Sequence, residues 1–311
     1  MGNRLSRRGF LRAGLAGAGV AAVGGCATNI QSASPPSGAH SYGDANLQQA
    51  SGGDCGTDYA ILRRNLGRTG ESVSILGIGG QRMAPADAPD IVNAALDAGI
   101  NYFDTGRMYG WQGANEQSWG PVVAERRDEM FLVSSFDSRT ESAVLTDLDA
   151  SLAALQTDHL DAYLVHMALS GDDVSDGVIQ AWEAAKSDGR IRFTGVACHE
   201  FGDDAYVACL GRYDFDIMRL PTSMDYNYRG PHVLGVETGP ILAERNCGVV
   251  GMKVLANGTV WGEFPSKTLA EVITHVWDTY PIHSAILGVT TLQQLQDDIA
   301  IAEAYTQALF A

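Results

Sequence analysis

From Ile61 onward the chain repeats one pattern. A short apolar run rich in Gly or β-branched residues is followed by a longer stretch with apolar positions at helical spacing. The runs lie at Ile75–Gly80, Tyr102–Gly106, Met130–Phe136, Ala162–Met167, Phe193–His199, Asp216–Thr222, Val249–Val254 and Ser284–Val289. Amphipathic helices are expected between most of them, at Asp90–Ala98, Glu141–Leu155, Ser175–Ser187, Leu269–Thr279 and Leu292–Ala308. Strands that alternate with helices imply a parallel sheet, because parallel neighbours need crossover connections. Eight such units over roughly 230 residues predict an α/β chain closed as a (β/α)8 TIM barrel. Ahead of them, Leu62–Ser74 carries two short runs around a Gly-centred turn, which predicts a β-hairpin. The competing fold is an open doubly wound sheet. It would want a Gly-rich dinucleotide fingerprint after the first strand, and Gly77-Ile-Gly-Gly80 lacks that spacing.

Composition fits such a domain. At 311 residues, 45% hydrophobic and 19% charged, the chain can bury a large core. The formal net charge is −16. Residues 1–26 hold Arg4, Arg7, Arg8 and Arg12 and no acid, so the rest of the chain carries −20. A body that acidic repels nucleic acid and anionic lipid, which excludes both as expected partners.

The first 58 residues follow different rules. Ser6–Leu11 precedes an apolar Gly/Ala-rich run, Ala13–Gly25, too short to span a bilayer and flanked by basic residues as export signals are. The hexapeptide resembles a twin-arginine signal. Val23-Gly-Gly-Cys26 resembles the site at which bacterial lipoproteins are cut and acylated on the cysteine. Met1–Ser6 also fits a myristoylation pattern, but it overlaps the export signal and is read as coincidence. These features imply a signal peptide at 1–26, export by the twin-arginine machinery to the periplasm or another extracytoplasmic space, and membrane attachment only through lipid on Cys26. Residues 27–58, rich in Ser, Gly, Ala, Gln and Pro, read as a flexible linker to a domain at 59–311. Cys55 lies in that linker, and Cys198, Cys209 and Cys247 in the domain; an oxidising compartment would let some of them pair.

Chemistry concentrates at Asn101–Gly110. A buried strand there delivers Asp104 and Tyr109 at its carboxyl end, where barrels of this kind do their work, before a Gly-rich loop turns into a helix through Asn115, Glu116 and Gly120. His166 ends the apolar run Ala162–Met167. No ligand spacing among the histidines and no CxxC pair point to a metal, and no Ser-centred nucleophile elbow is present.

Five stretches, in order, resemble the aldo-keto reductases. They are Arg64–Gly70 with Val73-Ser74; Phe103-Asp-Thr with Tyr109-Gly and Glu116; Leu155–Asp161 leading to Val165-His166; Gly189–Val196 with His199; and Ile286–Val289 with Gln294-Leu. The resemblance covers about residues 60–311. It implies a barrel that binds NADP or NAD across its carboxyl face and passes a hydride between the nicotinamide and a small carbonyl or alcohol substrate. It implies that Tyr109 is the proton donor, that Asp104 holds a lysine beside it, and that His166 orients the carbonyl.

The sequence departs from that pattern in several places. Ser135, in Met130–Phe136, stands where the resemblance calls for the lysine. A cation within ~4–6 Å shifts a neighbouring acid by roughly one to three pKa units, so its loss is expected to slow the reaction ~10- to 1000-fold. Arg107, three residues after Asp104, is one candidate to swing back and pair with it; Lys253 is another, or a clamp for the cofactor's phosphates. The positions that would grip the nicotinamide amide hold Ala197, Cys198 and Arg219. The last loop, Gly288–Gln293, has no basic residue, leaving Thr290 and Thr291 to receive a ribose hydroxyl at the helix start, with Gln294 beside them. The loops expected to select substrate, Met167–Asp173 and Met224–Glu237, carry no readable chemistry. Two functions follow as alternatives: an exported reductase, slow or altered in mechanism, and an inactive barrel kept as a binding or scaffold lipoprotein.

Overall fold

The computed structural model describes residues 60–110, 113–199, 203–225 and 238–311. The expectations placed on residues 1–58 (export signal, acylated Cys26, linker) lie outside them, as does most of the loop Met224–Glu237.

The hairpin comes first: β1 (Arg63–Asn65) and β2 (Ser72–Ser74) pair antiparallel, with Val73 opposite Arg64. Eight parallel strands follow: β3 (Leu76–Gly79), β4 (Tyr102–Asp104), β5 (Phe131–Phe136), β6 (Leu160–Ala168), β7 (Ile191–Cys198), β8 (Ile217–Pro221), β9 (Gly248–Met252) and β10 (Ser284–Gly288). They close into a barrel in chain order, with β10 beside β3, so the expected (β/α)8 fold is the fold observed.

Helices α1 (Ala88–Asp97), α2 (Ala114–Arg126), α3 (Glu141–Leu155), α4 (Asp176–Ser187), α5 (Asp203–Arg212), α6 (Thr238–Glu244), α7 (Val260–Glu263), α8 (Leu269–Thr279) and α9 (Leu292–Phe310) connect them. Helix α8 shows why such segments form. Thr268 accepts from the Glu271 amide and Glu271 returns the bond to Thr268, a capping box that satisfies two otherwise orphaned donors. Leu269, Val272, Ile273, Val276 and Trp277 then recur on one face and are buried against the barrel. Trp277 and Trp182 are fully buried, and each indole N–H donates to a backbone carbonyl, of Ile75 just before β3 and of Tyr163 in β6.

Inside the barrel the side chains stack in tiers. Leu66 and Val73 of the hairpin segment close the floor beneath Tyr102, Phe131, Val133, Ala162, Leu164, Ile217, Val250 and Ile286. Strand side chains repeat every two residues, so two steps beyond these lumen residues the same face is filled by Asp104, Ser135, His166, Arg219, Met252 and Gly288. That upper tier is at the carboxyl mouth, where barrels place their sites.

Candidate functional site

The upper tier is a charged cluster walled by protein. Asp104, on β4, is 3% exposed, and Arg219, on β8, is 1% exposed, and the two are ion-paired across the lumen. One guanidinium nitrogen of Arg219, Nη2, donates to Ser135 Oγ at 3.0 Å and lies 3.5 Å from His166 Nδ1. The Tyr109 phenol lies within the field of the same guanidinium, which pulls its pKa down. Ser135 Oγ in turn donates to the Thr105 carbonyl at 3.3 Å. The structure therefore brings Asp104, Tyr109, Ser135 and His166 together, and the group that joins them is Arg219.

Burial and this one cation set the protonation states. Burial pushes the Asp104 carboxyl upward, while Arg219 opposes it and keeps a counter-charge in place. Burial alone would lower Arg219, but Asp104 and the nearby phenols raise it, so it stays charged. Tyr109 is pushed up to about 12 by burial, with Arg219 pulling down and Asp104 pushing up. His166 is lowered to about 3 by burial, then by the positive fields of Arg219, Lys253 and Arg139. A neutral imidazole has one bare nitrogen, and a guanidinium can only donate. Nδ1 is thus the acceptor and the His166 proton sits on Nε2. The imidazole packs edge-on against Tyr109, ring centres 5.7 Å apart, and against His199 at 4.7 Å.

The loop carrying Tyr109 is pinned from below. The Thr105 and Arg107 amides donate to the Val133 and Ser135 carbonyls of β5. Asn115 of α2 accepts from Thr105 Oγ1 at 2.7 Å and donates to the Gly80 carbonyl at 2.8 Å. Arg107 does not reach back to Asp104, as one expectation had it. Its Nη1 bonds Glu116 at 3.1 Å, because that carboxylate is fully buried beneath the loop, where it also accepts from Ser134 Oγ at 2.7 Å. Gly113 makes room for this pair: it has φ +77°, and a Cβ there would lie 1.9 Å from Arg107 Nη1.

A cleft of about 400 Å³ opens from Tyr109, Asp104 and Arg219 past Lys253 and Arg82 to Gly288 and Gln294. One wall is built from strained backbone: Lys253, Ala256 and Asn257 have φ of +59°, +45° and +53°. Left-handed conformations cost non-glycine residues roughly 1–2 kcal/mol each and cluster where sites are shaped. Of the residues expected to hold a cofactor, Lys253, Gly288, Gln294 and Arg219 line this cleft. Ala197 and Cys198 are fully buried, so neither offers a grip on an amide. Thr290 gives both its amide and its hydroxyl to Gln294 Oε1, and Thr291 caps α9 by accepting from the Gln294 amide. Cys198, Cys209 and Cys247 are buried free thiols. Among the described residues no group of three or more His, Cys, Asp or Glu is placed to hold a metal ion.

Arg219, expected as a cofactor contact, lines the cleft and also turns Nη1 and Nη2 onto Asp104 and Ser135, a pairing the sequence reading did not foresee. Parity would have found it. Ile217 faces the barrel interior, so Arg219, two residues on, must do so too.

Residues 74–271 match the model of the aldo/keto reductase family. The chain belongs to that family. An aldo-keto reductase of Mycobacterium sp. (strain KMS) is 32% identical over 181 residues, 57% of this chain and 58% of that protein. An uncharacterised oxidoreductase of Bacillus subtilis (strain 168) is 28% identical over 151 residues, 44% of this chain and 49% of that protein. The matched stretch thus spans only about half to three fifths of these relatives' lengths. The holo form of an aldo-keto reductase from Bacillus halodurans superposes with a TM-score of 0.67 at 22% identity, covering 78% of this chain and 91% of that one. An aldo/keto reductase from Klebsiella pneumoniae, solved with NADP and acetate, superposes with a TM-score of 0.61 at 20% identity, covering 76% and 88%. At such identities the superpositions speak to the fold of this aldo/keto reductase and not to its substrate.

Proposed function

We propose that the barrel reduces a carbonyl compound with a nicotinamide dinucleotide, with Tyr109 as the proton donor. The observation that carries this reading is the placement of Tyr109, Asp104 and Arg219 at the inner end of an open cleft, with the neutral His166 imidazole packed behind them against Tyr109 and Arg219.

The residues of the cleft suit the cofactor of the Klebsiella relative. Lys253 and Arg82 can meet phosphates. The start of α9 presents helix amides nearby. Arg219 Nε–H, buried and without an acceptor, suits an amide oxygen. The reduced nicotinamide, when bound, supplies the hydride. The chain supplies the rest. His166 Nε2–H hydrogen-bonds the substrate oxygen and orients it, and the Tyr109 hydroxyl gives its proton to that oxygen as negative charge develops. Because Tyr109 lies near 12, it holds this proton throughout the neutral range. Alcohol oxidation, the same step in reverse, would start from the phenolate. The amino-terminal signal motifs support placing the reaction outside the cytoplasm, with a lipid on Cys26 as the only membrane contact.

Fluorescence titration of the purified protein with NADPH and NADH, followed by turnover of small aldehydes and ketones, tests this reading. Saturable binding and NAD(P)H-dependent reduction are expected. Absence of binding at millimolar cofactor would overturn it and leave the alternative of a binding barrel without turnover.

A further inference from the structure

Within the proposed reductase reading, we infer that Arg219 supplies from β8 the positive charge that the proton donor needs, and that this charge can be moved to position 135 on β5 without loss of function. The lumen has one slot for a cation between Asp104 and Tyr109. Which strand fills it is secondary.

Charge and contact carry the argument. Asp104 is a buried carboxylate, and a buried carboxylate without a counter-charge gives up its ionisation. Arg219 is its ion-pair partner, the same guanidinium touches Ser135 Oγ and His166 Nδ1, and Tyr109 packs against that imidazole and lines the cleft beside Arg219. Three polar groups from three strands therefore meet on one cation. Its planar fork of donors allows this, whereas an ammonium at residue 219 has fewer donors and no fixed plane. Ser135 lies on the adjoining face of the slot, 3.0 Å from the guanidinium, so a lysine at 135 would enter the space that Arg219 fills. With Arg219 present, such a lysine would be a second buried cation against the single charge of Asp104. With Arg219 absent, it would restore the balance. The same contact makes Arg219 a positioning residue for His166, since a donor facing Nδ1 leaves Nε2 to carry the proton.

Four proteins test this: wild type, Arg219→Met, Ser135→Lys and the double variant, each assayed for kcat with a carbonyl substrate and NADPH. Arg219→Met is expected to lose ~10- to 1000-fold in kcat with little change in KM, the range that removing a cation beside an acid implies. Ser135→Lys alone is expected to be less stable and no faster. The double variant is expected to regain at least tenfold over Arg219→Met. A folded Arg219→Met with wild-type kcat, or a double variant no better than it, would overturn the inference. A second measurement does not depend on turnover. Nitrogen NMR of the imidazoles, with His166 assigned through His166→Gln, is expected to show Nδ1 bare and Nε2 protonated in wild type at neutral pH. A protonated Nδ1 there would overturn the positioning role outright. If Arg219→Met does not fold, Arg219→Lys keeps the charge and should stay within about tenfold of wild type while changing the His166 spectrum; a thousandfold loss would refute charge as the requirement. A wild type that binds no cofactor sinks the reductase reading, and the imidazole spectrum then decides the placement of Arg219 by itself.

Discussion

Two buried aspartates among the described residues, Asp104 and Asp161, face arginine at opposite ends of the barrel, and they are built differently. At the carboxyl mouth Asp104 and Arg219 are both walled off, one acid against one base, and the base is shared with a hydroxyl and an imidazole that packs against the Tyr109 phenol ring. At the amino end Asp161, 2% exposed, is held by Arg127 at 2.9 Å and Arg192 at 2.7 Å, and it also accepts from the Leu132 amide at 2.8 Å. Arg192 reaches on to Glu71, beside the hairpin, and its side chain is 43% exposed. The lower cluster spends its contacts tying strands to the hairpin that plugs the barrel. The upper one spends them on groups with protons to give. A carboxylate with surplus partners marks architecture, whereas a carboxylate whose partner is divided among titratable groups marks chemistry.

The sharpest way to break that comparison is to disable each end separately. Tyr109→Phe removes the proton donor but keeps the ring that packs against His166. It should lower kcat by ~10²- to 10⁴-fold, the usual contribution of a positioned acid, while denaturation curves barely move. Asp161→Ala should do the reverse. It leaves two arginines and an amide facing an empty site, so a loss of ~3–5 kcal/mol by urea unfolding is expected, with kcat per folded molecule unchanged. If Asp161→Ala were stable but slow, the division of labour between the two ends would be wrong.

Acid sharpens the same contrast through two histidines. His166 lies in the upper tier and is lowered to about 3. His283 precedes β10 at the lower end, accepts from the Val249 amide at 2.9 Å, and is lowered to about 4, chiefly by burial. Both are neutral in the folded protein when an unfolded histidine would begin to protonate near 6.5. Their contribution to stability is therefore complete above about 6.5 and is lost as pH falls toward the folded values. For His283 the window from 6.5 to about 4 amounts to ~3 kcal/mol. Melting temperatures of wild type and His283→Asn between pH 7 and 4 should converge as pH falls. Parallel curves would mean that His283 is not buried neutral.

Much of this was legible in the residue pattern, and what was not has a physical reason. Eight apolar runs of strand length with helices between them leave few topologies, and the closed barrel follows because parallel neighbours need crossovers. Asp104, Tyr109 and His166 could be picked out because each ends or follows such a run. The pairing of Arg219 with Asp104 was missed because Arg219 sits inside an apolar run, Asp216–Thr222, where a charge looks like an intruder until strand parity turns it inward. Arg107 was misjudged for the opposite reason. Three residues from Asp104 looks close, but the backbone bond from the Arg107 amide to the Ser135 carbonyl accompanies a side chain directed to Glu116, and one-dimensional spacing carries no such direction.

The smallest expected effect concerns that last pair. Arg107 and Glu116 do not touch the phenol, but they hold the loop between Asp104 and Tyr109 onto α2, and Gly113 is left without a side chain to admit them. Burial already raises the Glu116 carboxyl, and the hydrogen bonds from Ser134 and Arg107 only partly offset it. Removing Arg107 would let Glu116 take up a proton, so Arg107→Met need not strand a charge and the fold should survive. What it loosens is the placement of Tyr109 against His166. A loss of about threefold to tenfold in kcat is expected, roughly 1 kcal/mol, well below that of Tyr109→Phe. Gly113→Ala should give a similar or larger loss, since its Cβ would push Arg107 off Glu116 and its φ of +77° disfavours any side chain. Glu116→Gln combined with Arg107→Met should be no worse than Arg107→Met alone, because the two act as one clamp. Full activity in Arg107→Met would show instead that the backbone bonds to β5 suffice to aim the phenol, and that the ion pair belongs with Asp161 among the props of the barrel.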